Sequence, residues 1–187
     1  MKERLKEALS GRKKLHIRDA GRKPSAVLLP LYIKNGEYYL LFIQRTNRVR
    51  DHKGQISFPG GAYEEDDNTF QRTALRETSE EVGIDEKDIE VLGELDDIIT
   101  IGSSYIISPF VGIIPWPYDI KVDEWETEET IEVPLAALLD SANVREETDI
   151  LDGREIPAYF YHYGGKVIWG ATARILHQFL GIVDSIL

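Results

Sequence analysis

Leu5, Ala8 and Leu9 recur at helical spacing in KERLKEALS, which predicts a short amphipathic helix ending at Gly11. From residue 25 the period changes. SAVLLPLYI and YYLLFIQR are strand-like apolar runs separated by KNGE, and Asn35-Gly36 suits the positive backbone angles of a tight turn, so the two runs predict a hairpin. ISFPGGA reads as a strand running into a glycine turn. DDNTFQRTALRETSEEVG reads as a helix, with Asp67, Asn68 or Thr69 available to accept the free N–H groups of its first turn. Beyond Gly83, EVLGELDDIIT and YIISPFVGIIP are strand candidates and IEVPLAALLD is a short strand passing into a helix. REIPAYFYHYGGKVIWG predicts a second hairpin and ATARILHQFLGIV an apolar C-terminal helix. Strands mixed with a few helices, without regular alternation, predict an α+β fold rather than a doubly wound sheet. With no repeat or convincing linker, 187 residues suit a single domain, 1–187, in which 1–24 form a helix and basic lead-in.

Composition narrows the function classes. No apolar run reaches the roughly 18 to 20 residues that span a bilayer, so no membrane insertion is expected. Without cysteine there is no thiol or disulfide chemistry, and MKERLKEALSGRKKLHIRD has no apolar segment of the secretory kind, so a cytoplasmic location is the default expectation. Net charge is -11 but uneven: residues 1–25 hold nine of the 22 Lys and Arg, and only three of the 33 Asp and Glu. So acidic a body argues against nucleic-acid binding, which draws on basic surface to displace counterions. A polyanionic small molecule remains compatible if metal ions supply positive charge.

That chemistry has a candidate in RETSEEVGI, residues 76–84. On a helix Glu77, Glu80 and Glu81 fall on one side within about a turn, while Leu75, Thr78 and Val82 point away. Three such carboxylates repel unless a cation joins them, and hard oxygen ligands suit Mg²⁺ or Mn²⁺. Arg76 can reach Glu80 one turn on. By itself the pattern also describes a solvated helix end.

The context is more specific. Gly60-Gly61, Arg76-Glu77, Glu80-Glu81 and Gly83-Ile84 together resemble the Nudix box, G-x5-E-x7-R-E-U-x-E-E-x-G-U, over residues 60–84. Thr78 stands where an aliphatic residue is usual. The left half is one residue too long, so the early acid falls on Asp67 counted from Gly61 and on Asn68 counted back from Arg76. A longer loop of this kind is similar to that of the coenzyme A pyrophosphatases. Their upstream stretch also resembles RTNRVRDHKGQISFPGG, and the similarity runs from about residue 25 to residue 180.

The resemblance implies a mixed β-sheet sandwiched between α-helices, with a loop-helix-loop metal site. It implies Glu77 and Glu81 as the best ligands with Glu80 a third, and the catalytic set Arg76, Glu77, Glu80 and Glu126. Glu126 would be a metal ligand or a general base, although Asp123, Glu124, Glu128 and Glu129 beside it suit a solvated acidic run. Arg45, Arg50, His52, Gln55, Gly60 and Gly61 are implied for substrate binding. Lys53 belongs to the same basic patch, whose competing reading is exposed cations paired with acids such as Asp51. The implied reaction is hydrolysis of a diphosphate, coenzyme A giving 4′-phosphopantetheine and adenosine 3′,5′-bisphosphate. ADP-ribose, a nucleoside triphosphate or a non-catalytic nucleotide-sensing role are the alternatives. A nucleotide-type small molecule is the expected partner, and a homodimer is left open. His16, His162 and His177 show no metal-site spacing. Phe58 is open to a core role, and Tyr159, Phe160, Tyr161, Tyr163 and Trp169 read as packing ahead of ligand stacking. Ser57 has no base to make it a nucleophile.

Overall fold

A computed structural model describes residues 1–48 and 53–187. The chain opens with α1 (Lys2–Gly11), whose apolar face buries Leu5 and Leu9. Then come β1 (Lys23–Lys34) and β2 (Glu37–Arg45), paired antiparallel around Asn35 and Gly36 at φ 53° and 84°. The turn is the one the Asn-Gly pair predicts, because both central residues need positive φ.

The hairpin does not stay closed. β1 and β2 pair only over residues 31–34 and 37–40, next to the turn. Farther along, β2 takes β3 (Ile56–Ser57) as a neighbour and β1 takes β4 (Gly60–Ala62). ISFPGGA is therefore two short strands rather than the single strand expected. They pair with the two arms of a splayed hairpin, and Gly60-Gly61 lies where the arms have parted.

Around this split the sheet is mixed. β1 runs parallel to β7 (Tyr105–Ile113), which pairs antiparallel with β5 (Glu90–Glu94) and β6 (Ile98–Ile99). EVLGELDDIIT is thus split into two strands. On the other side β2 pairs with β8 (Thr127–Pro134), which runs directly into α3 (Leu135–Leu139).

Helices cover both faces. Leu29, Leu31, Leu40 and Phe42 pack against α1 and against Ile175, Leu176 and Phe179 of α4 (Gly170–Ile186). Leu28, Tyr32, Leu41 and Ile43 pack against Ala74 and Val82 of α2 (Phe70–Val82). Successive strand residues point to opposite faces, so β1 and β2, apolar at nearly every position, can line both layers. The expected α+β sandwich is what the chain forms.

The second hairpin is larger than predicted. β10 (Arg154–Tyr163) and β11 (Lys166–Ile168) are joined by β9 (Val144–Leu151) into a separate three-stranded antiparallel sheet, with Asp152 and Gly153 at φ 50° and 77° in the added turn. Tyr161 is buried, but Trp169 is 46% exposed, which corrects the reading of that tryptophan as packing. No helix among the described residues is long and apolar enough to cross a membrane.

Candidate active site

Helix α2 is held to the glycine turn by a network of charges. Of the three candidate caps, Thr69 is the one used, accepting from the Arg72 N–H at 3.1 Å. Asp67 is drawn elsewhere: it is buried and paired with Arg76 at 2.8 Å, and it accepts from the Thr73 hydroxyl at 2.8 Å. The Arg76 guanidinium beside it holds the Asp67 carboxyl well below the usual carboxylate range, with bonds from the Glu64 backbone and Thr73 acting the same way against burial. Asn68 absorbs the additional loop residue in a left-handed conformation, φ 61° and ψ -28°. Asparagine tolerates that region better than most side chains. The structure therefore gives Asp67, not Asn68, the position of the early acid.

Arg76 has little capacity left for chemistry. Besides Asp67 it reaches Glu77 at 2.9 Å, Glu80 at 3.0 Å and the Ala62 carbonyl at 3.2 Å. It clamps loop to helix and acts as a positioning group. Glu80, bonded to it, has a side chain 59% exposed. Among the described residues no three acidic or histidine side chains converge as a ready-made cation site. The expected cluster of three is a pair, Glu77 and Glu81, with Glu80 turned toward Arg76; 100° of helix rotation separates adjacent positions 80 and 81.

Glu81 is 3% exposed and accepts from the Gly60 N–H at 2.9 Å and from Arg45 at 3.1 Å. Burial pushes its carboxyl up to about 8, against the Gly60 and Arg45 bonds, and repulsion from Glu77 and Glu126 adds to the rise. Glu77 is raised too, first by burial and then by Glu80 and Glu126, with Arg76 opposing. Arg45 also donates to Glu126 at 3.3 Å, so one guanidinium bridges two acids.

The glycines shape this arrangement. A Cβ on Gly61 would lie 2.4 to 2.5 Å from the Glu77 carboxylate, and one on Gly60 (φ 156°) would lie 2.3 Å from the Ala26 carbonyl oxygen. Only bare backbone lets Glu77 and the Gly60 N–H come this close.

These residues fit a divalent cation. Glu80 and Glu126 help raise the Glu77 carboxyl, Glu77 and Glu126 help raise that of Glu81, the donors are hard oxygens, and Ser57 Oγ, Thr127 Oγ1 and Arg45 Nε are buried without a partner. Thr127 stands directly opposite Arg45 in the strand pair. Arg45, which bears one of these orphaned atoms, contacts Glu81, and a cation with its water shell would relieve the carboxylate repulsion beside it.

A cavity of about 800 Å³ opens beside the pair, lined by Arg45, Arg48, Gln55, Gly61, Glu77 and Glu126 among others. Phe58 shares the lining, yet it is 2% exposed and stacks on Phe42 at 4.6 Å. Arg50 and His52 lie outside the described residues, and Lys53 is exposed. Sequence reasoning passed over Arg48, which lies 5.8 Å from the ring of the 63% exposed Trp125, and Arg174 of α4, and it read Phe160 and Trp169 as packing although both line this cavity. For Phe160, Trp169 and Arg174 the signal is tertiary, because they lie about a hundred positions from the glycine turn. His177 bonds Tyr161 at 2.9 Å and stacks on Tyr159, in keeping with an ordinary role.

Comparison with known proteins speaks to family and fold. The NUDIX domain family model matches residues 21–148. An uncharacterised Nudix hydrolase, NudL, of Photorhabdus laumondii is 36% identical over 154 residues, covering 82% of this chain and 81% of its own. Among solved structures, a MutT/nudix family protein from Enterococcus faecalis aligns over 94% of this chain and 66% of its own, with TM-score 0.58 and 14% identity. The NUDIX domain of Shewanella oneidensis NrtR, complexed with ADP ribose, aligns over 71% of this chain and 84% of its own, with TM-score 0.51 and 16% identity. At these identities the solved structures speak to fold alone.

Proposed function

The chain belongs to the Nudix family of pyrophosphohydrolases, and from that membership we propose that it cleaves coenzyme A to 4′-phosphopantetheine and adenosine 3′,5′-bisphosphate with Mg²⁺ or Mn²⁺. The observation that supports the reading is the position of the described residues, 45–48 and 53–61, of the stretch that resembles coenzyme A pyrophosphatases. Arg45, Arg48, Gln55 and Gly61 line one cavity together with Glu77 and Glu126, so diphosphate binding and carboxylate chemistry share a space. The long box loop, with Asn68 taking up its additional residue, supports the same subgroup.

Each side chain then has a task. Glu77 and Glu81 would hold the cation, with Glu80 at the periphery through Arg76. A divalent ion supplies positive charge against the diphosphate oxygens and acidifies a water. Glu126, half-buried on the same cavity, would take a proton from a water attacking phosphorus as the P–O–P bond breaks and the leaving phosphate departs. Arg45 lies between Glu81 and Glu126, where it can turn a guanidinium edge to a phosphate oxygen. The Gly60 N–H fixes Glu81, and Asp67 with Arg76 fixes the helix that carries it.

A substrate panel with Mg²⁺, read by product mass, tests the reading. Coenzyme A should be cleaved faster than ADP-ribose or nucleoside triphosphates. No turnover at millimolar coenzyme A, or a strong preference for ADP-ribose, would refute it.

A further inference from the structure

Arg174 is the cation in this cavity that its surroundings least explain. It lies in the second turn of α4, half-buried, and its Nη1 donates to the Ile99 carbonyl at 2.8 Å. Among the described residues no carboxylate approaches within ion-pair distance of it, whereas Arg45 in the same cavity touches two. Asp149, also on the lining, acts on it electrostatically without an ion pair, and burial lowers its proton affinity. A partly desolvated guanidinium with one carbonyl partner is costly in a free protein unless an anion comes to share it.

Its neighbours on the lining narrow the choice of anion. Phe160, with the Arg145 guanidinium 5.1 Å from its ring centroid, and the 46% exposed Trp169 line the same cavity. Aromatic faces beside a guanidinium suit a nucleobase carrying a nearby phosphate. The diphosphate to be cleaved already has Arg45, Arg48 and the Glu77–Glu81 pair, all contributed by the large sheet, α2 and their loops. Arg174, Phe160 and Trp169 come from the separate three-stranded sheet and the start of α4. This part of the lining therefore suits a different portion of the substrate.

We propose that Arg174, with Phe160 and Trp169, forms a subsite for a phosphomonoester on the nucleoside end of the substrate, and so selects nucleotides carrying a phosphate beyond the diphosphate that is cleaved. The inference rests on reading the cavity as a nucleotide diphosphatase site. It makes Arg174 a specificity-determining residue rather than a catalytic one.

Coenzyme A and dephospho-coenzyme A differ only in that phosphate, so their kinetics isolate it. In Arg174→Gln, which can still donate to the Ile99 carbonyl, KM for coenzyme A should rise about 10- to 100-fold, the scale of one charge-assisted contact. Dephospho-coenzyme A should change less than about threefold on the same scale. Arg174→Lys, which keeps the charge, should retain most of the preference. Equal losses on both substrates, or no change with coenzyme A, would overturn the proposal. Calorimetry supplies an arm that needs no turnover: the Mg²⁺-loaded wild type should bind adenosine 3′,5′-bisphosphate at least about tenfold tighter than adenosine 5′-monophosphate. Equal affinities would overturn the subsite even if coenzyme A is cleaved. A bisphosphate preference that Arg174→Gln abolishes would support it even if coenzyme A proves not to be the substrate.

Discussion

Replacing Glu81 with Gln separates a carboxylate kept for metal chemistry from one kept for structure. Glu81 is buried, and its carboxyl is pushed from the ordinary 4.5 up to about 8. In metal-free protein the folded state therefore holds this proton more tightly than the unfolded chain. Stability from this group is fully present below the unfolded pKa and is lost as pH rises toward 8. Between about pH 5.5 and 8 the loss amounts to ~3 kcal/mol at about 1.4 kcal/mol per unit. Glu77, raised in the same direction, adds a smaller slope. Gln preserves the shape and can still accept from the Gly60 N–H, but it does not titrate, and its amide facing Arg45 costs about 1 kcal/mol. Urea denaturation in EDTA across this range should show the steep decline in wild type and only the Glu77 remainder in the variant. With saturating Mg²⁺, turnover of Glu81→Gln should fall by about two to three orders of magnitude, the scale for removing one electrostatic contact with developing charge. An unchanged pH slope would refute the burial argument, and activity within tenfold of wild type would refute the metal role.

Gly61→Ala should cut turnover at least about tenfold while the Tm shifts by only a few degrees, because the atoms in the way belong to the movable Glu77 side chain. Gly60→Ala meets backbone at Ala26 and Val27 and should cost about 3 kcal/mol or more in chemical denaturation. Asp67→Asn breaks a buried pair with Arg76 and should destabilise by about 3–5 kcal/mol. Because the Asp67 pKa is depressed, its contribution is present at neutral pH and is lost as pH falls below about 4, so the variant should lack that acid limb in a Tm-versus-pH series. Glu126→Gln should lower kcat about a hundredfold with little change in KM if Glu126 takes the proton, and an unchanged kcat would remove that role.

Elements whose cause is local were legible in the sequence, and elements whose cause is a distant partner were not. The Asn35-Gly36 turn and α2 follow from short patterns. β9 was missed because its VREETDIL is exposed at six of eight positions, leaving no apolar alternation to see. It is a strand because β10 pairs with it across Asp152-Gly153. The division of ISFPGGA has the same origin, since β3 and β4 exist only where the hairpin arms part and offer separate edges.

The site divides along the same line. Helical spacing placed Glu77, Glu80 and Glu81 on one side, but it could not say that Glu81 would be sealed beneath Gly60 while Glu80 joined Arg76. The cap was ambiguous for a related reason. Asp67, Asn68 and Thr69 are all good caps, and the choice was made by Arg76, nine residues on, which takes Asp67 and leaves Thr69 to the helix. The one-residue excess in the loop is thereby confined to Asn68, and the acid keeps its distance from the helix that bears Glu77 and Glu81. Under the proposed function, substrate choice would rest on the cavity wall around Glu77 and Glu126, which includes Pro157, Ala158 and Phe160 of a second sheet that no local pattern announced.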